Sequence, residues 1–215
     1  MNIVFLTYYY PPDLSAGSFR SVALVKALLL KMKSNDILHI VTTHPNRYKS
    51  HRVKASNIEI NDKVIIHRIS VPSHKSGMFS QSLAFGIYAI SAYKLSTKLS
   101  PNFIIGTTGR LMTGVLTWIS SKRLKINYFI DLRDIFSETI SDLFSKKNKA
   151  LGALVNYVFS YLNRLVFNGA AGVNVVSEGF FDYFQLKGIN TANWTFFPNG
   201  VDEEFIDFHD RGYKL

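Results

Sequence analysis

Cysteine is absent from this 215-residue chain, and acidic residues are scarce beside basic ones. The lack of cysteine excludes disulfide frameworks and thiolate metal sites, and it is consistent with a reducing compartment such as the cytoplasm. Lysine and arginine number 25 against 15 aspartate and glutamate residues, which gives a formal net charge of +10. Such an excess favours anionic partners: nucleic acid, anionic lipid or phosphorylated ligands.

Further absences narrow the possible functions. No basic segment precedes the first apolar run, so no signal peptide is predicted. We find no apolar run of the ~18 residues that a membrane-spanning helix needs; the longest candidate, Leu83 to Tyr93, is too short. The six histidines show no metal-binding spacing, and the sequence contains neither G-x-G-x-x-G, nor the G-x-x-x-x-G-K-[ST] phosphate loop, nor G-x-S-x-G. We therefore expect no bound metal.

What the sequence does contain is an alternation of short apolar runs and segments with helical periodicity. This alternation predicts an α/β fold with a mostly parallel sheet covered by helices on both faces. The predicted strands are 2–6, 37–42, 58–60, 64–69, 103–106, 128–132, 173–176 and 195–197, and the predicted helices are 19–33, 80–99, 112–123, 151–166 and 178–186. Ligands of such sheets bind at the carboxyl ends of the strands.

The loop Thr7–Phe19 joins the first strand to the first helix and is the centre of the functional prediction. Pro11 and Pro12 prevent regular structure inside the loop, and small residues lead into the helix at Gly17. A helix N-terminus presents free N–H groups that could bind an anion such as a diphosphate. An ordinary turn with a polar cap explains the same residues equally well.

Four stretches occur in an order that resembles a known family: Tyr8–Asp13 with Gly17 and Arg20, Asp131–Asp134, Val176–Phe180, and Phe197–Asp202. Together they resemble the N-terminal half of the family 4 glycosyltransferases of the GT-B fold, in particular bacterial sugar transferases of surface-polysaccharide assembly such as capsule or O-antigen. The resemblance covers nearly the whole chain.

The resemblance implies a Rossmann-like three-layer N-terminal domain over residues 1–200, with 201–215 as the start of an interdomain linker. It implies that a C-terminal donor-binding domain is absent from this chain, which would then be inactive alone. The substrates would be a nucleotide-diphosphate sugar donor and a glycan or lipid-linked sugar acceptor. The sugar would be transferred with retention of its anomeric configuration, and the reaction would need no cofactor or metal. The location would be cytoplasmic, including peripheral attachment to the inner face of the plasma membrane.

The resemblance also implies roles for individual residues. Gly17 and Ser18 would bind the donor phosphates, and Arg133 and Asp134 would be catalytic. Asn199 and Gly200 would form the interdomain hinge. The residues that would bind the acceptor are Tyr9, Arg20, Thr108, Ser177 and Glu178. Structural alternatives stay open: Arg133 could form an ion pair with Asp131 or Asp134, Asp134 and Ser177 could cap the segments that follow them, and Tyr9 could simply be packed.

Two further hypotheses concern charged partners. The segment from His74 to Lys98 combines large apolar residues with flanking lysines, so it could lie on an anionic membrane surface, or it could be an ordinary core helix. The basic excess alternatively suits a Rossmann-like module for a small phosphorylated ligand or for nucleic acid. No nucleic-acid-binding signature accompanies it, and we expect no nucleic-acid partner.

Overall fold

The computed structural model describes residues 1–46, 53–72, 77–108, 111–135 and 148–200. The sheet strands are β1 (Asn2–Leu6), β2 (Ile37–Thr43), β3 (Ile58–Asn61), β4 (Val64–Ile69), β5 (Phe103–Thr108), β6 (Asn127–Leu132), β7 (Gly172–Val175) and β8 (Trp194–Phe196). The helices are α1 (Ala16–Leu29), α2 (Met78–Leu99), α3 (Leu111–Leu124), α4 (Lys149–Asn168) and α5 (Gly179–Leu186). Strands and helices alternate as the sequence predicts.

All eight strands form one sheet in the order β3-β4-β2-β1-β5-β6-β7-β8. Every neighbouring pair is parallel except β3 and β4, which form a hairpin around Asp62 and Lys63. The strand order reverses direction at β1, so the carboxyl ends of β1 and β5 flank the switch point of the sheet. The predicted α/β class with a mostly parallel sheet is confirmed.

Two apolar clusters cover the two faces of the sheet. On one face, Val25 of α1 packs with strand residues such as Phe5 and Ile40. On the other, buried side chains of α2, α3, α4 and α5 pack together over the sheet, among them Tyr88, Leu116 and Phe167. The near-continuous apolar runs of the central strands follow from this burial on both sides.

Helix α1 begins three residues earlier than predicted, at Ala16 instead of Phe19. Ser15 is extended, with φ −146°, and its hydroxyl accepts a hydrogen bond from the Ser18 amide at 3.2 Å. This is the ordinary arrangement of an N-cap serine, which satisfies one of the free amides of the first turn. Gly17 and Ser18 therefore belong to the first helical turn and not to the preceding loop.

Helix α2 has a core side and a solvent side. Phe85 and Tyr88 are buried, and the Tyr88 hydroxyl donates to the carbonyl oxygens of Thr7 and Val41 at 3.2 and 3.0 Å. The core interpretation of this segment is thus confirmed for that side. Phe79 and Leu83 project into solvent from the same helix, so packing in the core does not account for all its apolar residues.

Helix α4 corrects the expectation that no segment reaches membrane-spanning length. By length and composition alone it is the one helix, among the described residues, that could cross a bilayer. The helix contains no uninterrupted apolar run of that length, because asparagines, one serine and Arg164 interrupt its apolar residues. In this fold Val166 and Phe167 of α4 are buried in the core, so the helix lies against the sheet.

Candidate functional site at the carboxyl edge of the sheet

The loop between β1 and α1 is held in place by residues from three other segments. Arg68 of β4 donates to the carbonyl oxygen of Pro11 at 2.7 Å. The buried Asp13 carboxylate accepts the Asn46 amide at 3.0 Å, and the Thr43 hydroxyl donates to the Tyr8 carbonyl at 2.7 Å. These bonds fix the loop on the sheet and so determine where the first turn of α1 lies.

The first turn of α1 comes into direct contact with Arg133, which follows β6. A Cβ built on Gly17 would lie 2.8 and 2.9 Å from the two terminal nitrogens of the Arg133 guanidinium. Only a residue without a side chain allows this approach without a shift. The two positions that the sequence assigned to phosphate binding and to catalysis are therefore neighbours in space, although they lie 116 positions apart in the chain.

The Arg133 guanidinium is half-buried and incompletely paired. Its Nε is buried without a hydrogen-bond partner among the described residues, and no ion pair joins it to Asp131 or Asp134 in that part of the chain. Burial lowers the pKa of Arg133 from its usual value, and the charge of Arg20 lowers it further, while Asp131 and Asp134 oppose the shift. The structural ion pair that the sequence left open as an alternative for Arg133 is therefore not formed within the described residues.

The hydroxyl groups of two further buried residues, Ser18 and Thr108, also lack partners within the described residues. Ser18 follows Gly17 in the chain, and Thr108 accepts the Arg133 amide on its carbonyl oxygen at 3.0 Å. Both residues are 1% exposed, and neither hydroxyl makes a hydrogen bond. Buried polar groups normally have partners, so the unsatisfied Ser18 hydroxyl, in the first turn of α1, is suited to an anionic ligand. The Thr108 side chain lies on the α3 side of the sheet, where its methyl group would be 3.5 Å from a Cβ built on Gly114.

Asp131, which the sequence offered only as an ion-pair partner for Arg133, is the centre of a buried network. Its carboxylate is fully buried and accepts bonds from Thr107 at 3.1 Å and from Asn174 at 2.8 Å. The register of β5, β6 and β7 places Thr107, Asp131 and Asn174 side by side. The available signal was a polar residue near the carboxyl end of each of three mainly apolar strands, at positions that only the strand pairing brings together.

Arg20 completes this network from α1. Its Nε and one terminal nitrogen bind the two Asp131 oxygens at 2.9 and 2.7 Å, which is a bidentate pair. The guanidinium also donates to the carbonyl oxygens of Phe197 and Pro198 and to Oδ1 of Asn199. Arg20 therefore connects α1, β6 and the segment that leaves β8; its acceptor-binding role and the hinge role of Asn199 and Gly200 stay predictions.

The other predicted site residues lie at the same edge of the sheet. Tyr9 is half-buried and makes an edge-on contact with Tyr8, with ring centroids 4.9 Å apart. Asp134, Ser177 and Glu178 are exposed. The N-cap position of α5 is Glu178, without a side-chain cap, so the alternative in which Ser177 caps this helix is wrong. Instead, the Ser177 carbonyl accepts the Phe180 amide at 3.2 Å.

Among the described residues, the pair formed by His39 and His67 most resembles part of a metal site. His39 Nδ1 lies 3.0 Å from His67 Nε2 across β2 and β4, and burial lowers the pKa of both rings. No group of three or more potential metal ligands occurs among the described residues. The carboxyl edge itself offers amide, hydroxyl and guanidinium donors, which suit an anion.

Comparison with known proteins rests on structure. No protein-family model and no curated protein matches the sequence. Among solved structures, the chain is similar to a sucrose-phosphate synthase from Thermosynechococcus elongatus, with a TM-score of 0.61, 10% identity and coverage of 98% of this chain and 96% of that one. It is also similar to Anabaena HepE in complex with UDP-glucose, with a TM-score of 0.53, 13% identity and 95% and 45% coverage.

A third similar structure is that of an epimerase, which is not a glycosyltransferase. The UDP-N-acetylglucosamine 2-epimerase from Rickettsia bellii gives a TM-score of 0.52 at 12% identity, with coverage of 98% of this chain and 48% of the epimerase. The chain thus spans less than half of HepE and of the epimerase. The fold is that of a GT-B Rossmann-like domain. Because one fold serves different reactions, the function must be argued from the site.

Proposed function

We propose that this chain is the acceptor-side domain of a glycosyltransferase that uses a nucleotide-diphosphate sugar. The observation that carries the proposal is the contact between Gly17, in the first turn of α1, and the Arg133 guanidinium. A helix N-terminus and a partly desolvated arginine with an unpaired Nε together form a site for a phosphate group. The structural similarity to HepE, which was solved with UDP-glucose, supports a donor of this class.

In the proposed reaction, the bond between the anomeric carbon and the diphosphate oxygen breaks, and a bond to the acceptor hydroxyl oxygen forms. Negative charge develops on the leaving diphosphate, where Arg133, the Gly17 amide and the unpartnered Ser18 hydroxyl would stabilise it. The acceptor hydroxyl loses its proton, and the exposed Asp134 carboxylate after β6 is positioned at the same edge to accept it. Arg133 and Asp134 are thus the proposed catalytic pair.

We base the mechanism, the pathway and the acceptor of the proposed enzyme on the four sequence motifs. They suggest a retaining enzyme of surface-polysaccharide assembly that works without a metal in the cytoplasm and takes a glycan or lipid-linked acceptor. Tyr9, Thr108, Ser177 and Glu178 would contact the acceptor. Most of the donor would bind to a second domain, connected through Asn199 and Gly200, so the 215-residue chain alone would bind donor weakly and transfer no sugar.

An NMR titration of the isotope-labelled chain with pyrophosphate and with UDP tests the phosphate site. We expect the amide signals of Gly17 and Ser18 to shift, and Arg133→Gln to weaken binding about tenfold, since a charge-assisted hydrogen bond contributes ~1.5–3 kcal/mol. Arg123→Gln is the matched control, because it removes an exposed arginine at the far end of α3. Equal affinity of the Arg133→Gln variant and the unmodified chain would refute the phosphate site.

A separate assay tests the class of enzyme. The chain alone is mixed with UDP-sugars and a lipid-linked sugar acceptor, and product is followed by mass spectrometry. We expect none; acceptor-dependent product would overturn the incomplete-enzyme part of the proposal while supporting sugar transfer. Conversion of the UDP-sugar without acceptor would instead indicate an epimerase.

A further inference from the structure

Helices α2, α3 and α4 form a layer with an unusual outer surface. They lie side by side on one face of the sheet, with α3 in contact with both neighbours. None of the three contains an aspartate or glutamate, although the chain has 15 acidic residues, and each carries two basic ones. These basic residues are Lys94 and Lys98, Lys122 and Arg123, and Lys149 and Arg164.

The same outer surface exposes large apolar side chains. Helix α4 contributes the widest stripe, which lies opposite its buried residues Val166 and Phe167. The exposed members of the layer are Phe79, Leu83 and Ile90 of α2, Met112 and Ile119 of α3, and Leu151, Leu154, Tyr157, Val158 and Tyr161 of α4. Tyr157 is 71% and Leu154 58% exposed. Ten exposed apolar side chains on one layer of helices indicate an interaction surface.

We propose that this outer surface of α2, α3 and α4, the helical face, binds in the plane of an anionic lipid bilayer. Apolar side chains would enter the boundary between headgroups and acyl chains, and the basic residues would contact lipid phosphates. The tyrosines suit such a boundary because the ring is apolar and the hydroxyl is polar. Arg164 lines the same surface depression as Tyr157 and Tyr161, so charge and apolar area occur together.

The positive charge of the helical face favours an anionic lipid surface over the other partners that could bind there. A second copy of the chain would bring two faces together that both carry lysine and arginine and no acid, which repel each other. Nucleic acid would pair with the charges but leave the leucine, isoleucine and methionine side chains in water. An anionic bilayer is the surface that satisfies both components, because its headgroups are negative and its interior is apolar.

Topology places this surface next to the candidate site. Each of the three helices follows a strand and runs back towards the start of the next parallel strand, so its first turn lies at the carboxyl edge of the sheet. The apolar ends of α2 and α4, with Phe79, Leu83 and Leu151, therefore lie at the edge that carries Arg133. A bilayer on the helical face would bring that edge close to molecules held in the lipid.

Co-sedimentation with vesicles tests the proposal. We expect the chain to bind vesicles that contain phosphatidylglycerol at low salt and to bind pure phosphatidylcholine vesicles at least about tenfold more weakly, because the basic residues have no charge to contact there. Equal binding to both vesicle types would refute the charge argument, and binding to neither would refute the proposal.

Paired variants locate the surface. Leu154→Ser with Tyr161→Ser should weaken binding to the anionic vesicles about tenfold or more. The control is Leu30→Ser with Ile60→Ser, which changes two side chains that are 85% and 70% exposed outside the helical face. If both pairs weaken binding equally, or if neither does, the helical face is not the docking surface. Loss of a dimer in sedimentation analysis, without loss of vesicle binding, would assign the face to self-association.

The outcome is independent of the glycosyltransferase proposal. The vesicle variants change the outer surfaces of α4 and α2, whereas the phosphate titration measures Gly17 and Arg133 at the carboxyl edge. Circular dichroism of each variant confirms that it is folded before its binding is compared. Lys94→Gln with Lys98→Gln provides a further variant that keeps all the apolar area; it should reduce binding to anionic vesicles alone, and an unchanged affinity would refute the role of charge.

Discussion

Arg20 and Arg133 occupy the same edge of the sheet, close enough for the charge of one to act on the other, yet their surroundings differ. Arg20 forms a bidentate pair with a fully buried carboxylate and three further bonds to the segment after β8. Arg133 lies against the bare backbone of Gly17, and its Nε has no partner in the described part of the chain. The comparison separates an arginine engaged in the fold from one available to a ligand.

The largest expected effect comes from Asp131→Asn. The substitution removes the charge that balances Arg20 and replaces an acceptor of bonds from Arg20, Thr107 and Asn174 by an amide that must donate to one of them. Breaking a buried ion pair on one side costs ~3–5 kcal/mol, and we expect a loss of that size in urea denaturation. Asp134→Asn, at an exposed carboxylate two residues later, is the control and should change stability by less than about 0.5 kcal/mol. Equal losses would contradict the network.

Arg20→Lys should have a smaller effect on stability and a distinct effect on the exit from β8. Lysine keeps the charge beside Asp131 but lacks the planar fork, so it cannot bind both carboxylate oxygens and the Phe197 and Pro198 carbonyls together. We expect a loss of ~1.5–3 kcal/mol. Hydrogen exchange should become faster around residues 197–199, while exchange in β1 stays slow. Unchanged exchange at the exit would show that Arg20 does not hold that segment.

The sequence predicted the layers of this fold well because each strand and helix has its own local pattern. It also selected Gly17 and Arg133 for one site, and the structure brings them together; their chemical roles stay proposed. The sequence could not predict that Asp131 pairs with Arg20 and leaves Arg133 without an ion pair in the described part of the chain, because this depends on side-chain reach across α1 and β6. The exposed stripe of α4 was missed for a similar reason: helical periodicity identifies apolar positions, but not which of two apolar sides faces the core.

Arg133→Gln tests the other half of the comparison. Since Arg133 has no ion pair to lose within the described residues, and since its burial already disfavours the charged form, we expect the free energy of unfolding to change by less than about 1 kcal/mol. The informative quantity is the difference between the stability losses of Arg133→Gln and Asp131→Asn, measured in the same series of urea denaturations. A loss of ~3 kcal/mol or more for Arg133→Gln would place Arg133 among the structural residues and leave the phosphate site without its cation.

Gly17→Ala should change stability least and still disturb the site. Gly17 is helical, so alanine gains up to about 1 kcal/mol of helix propensity, while its Cβ would sit 2.8 Å from an Arg133 nitrogen. That nitrogen is the end of a flexible side chain, so the arginine can move aside, and the two effects should nearly cancel in urea denaturation. The displaced guanidinium would no longer lie over the first turn of α1, and pyrophosphate affinity should fall about as far as in Arg133→Gln. Because both variants act on one contact, the double variant should bind no more weakly than either alone; additive losses would mean that Gly17 and Arg133 serve separate sites.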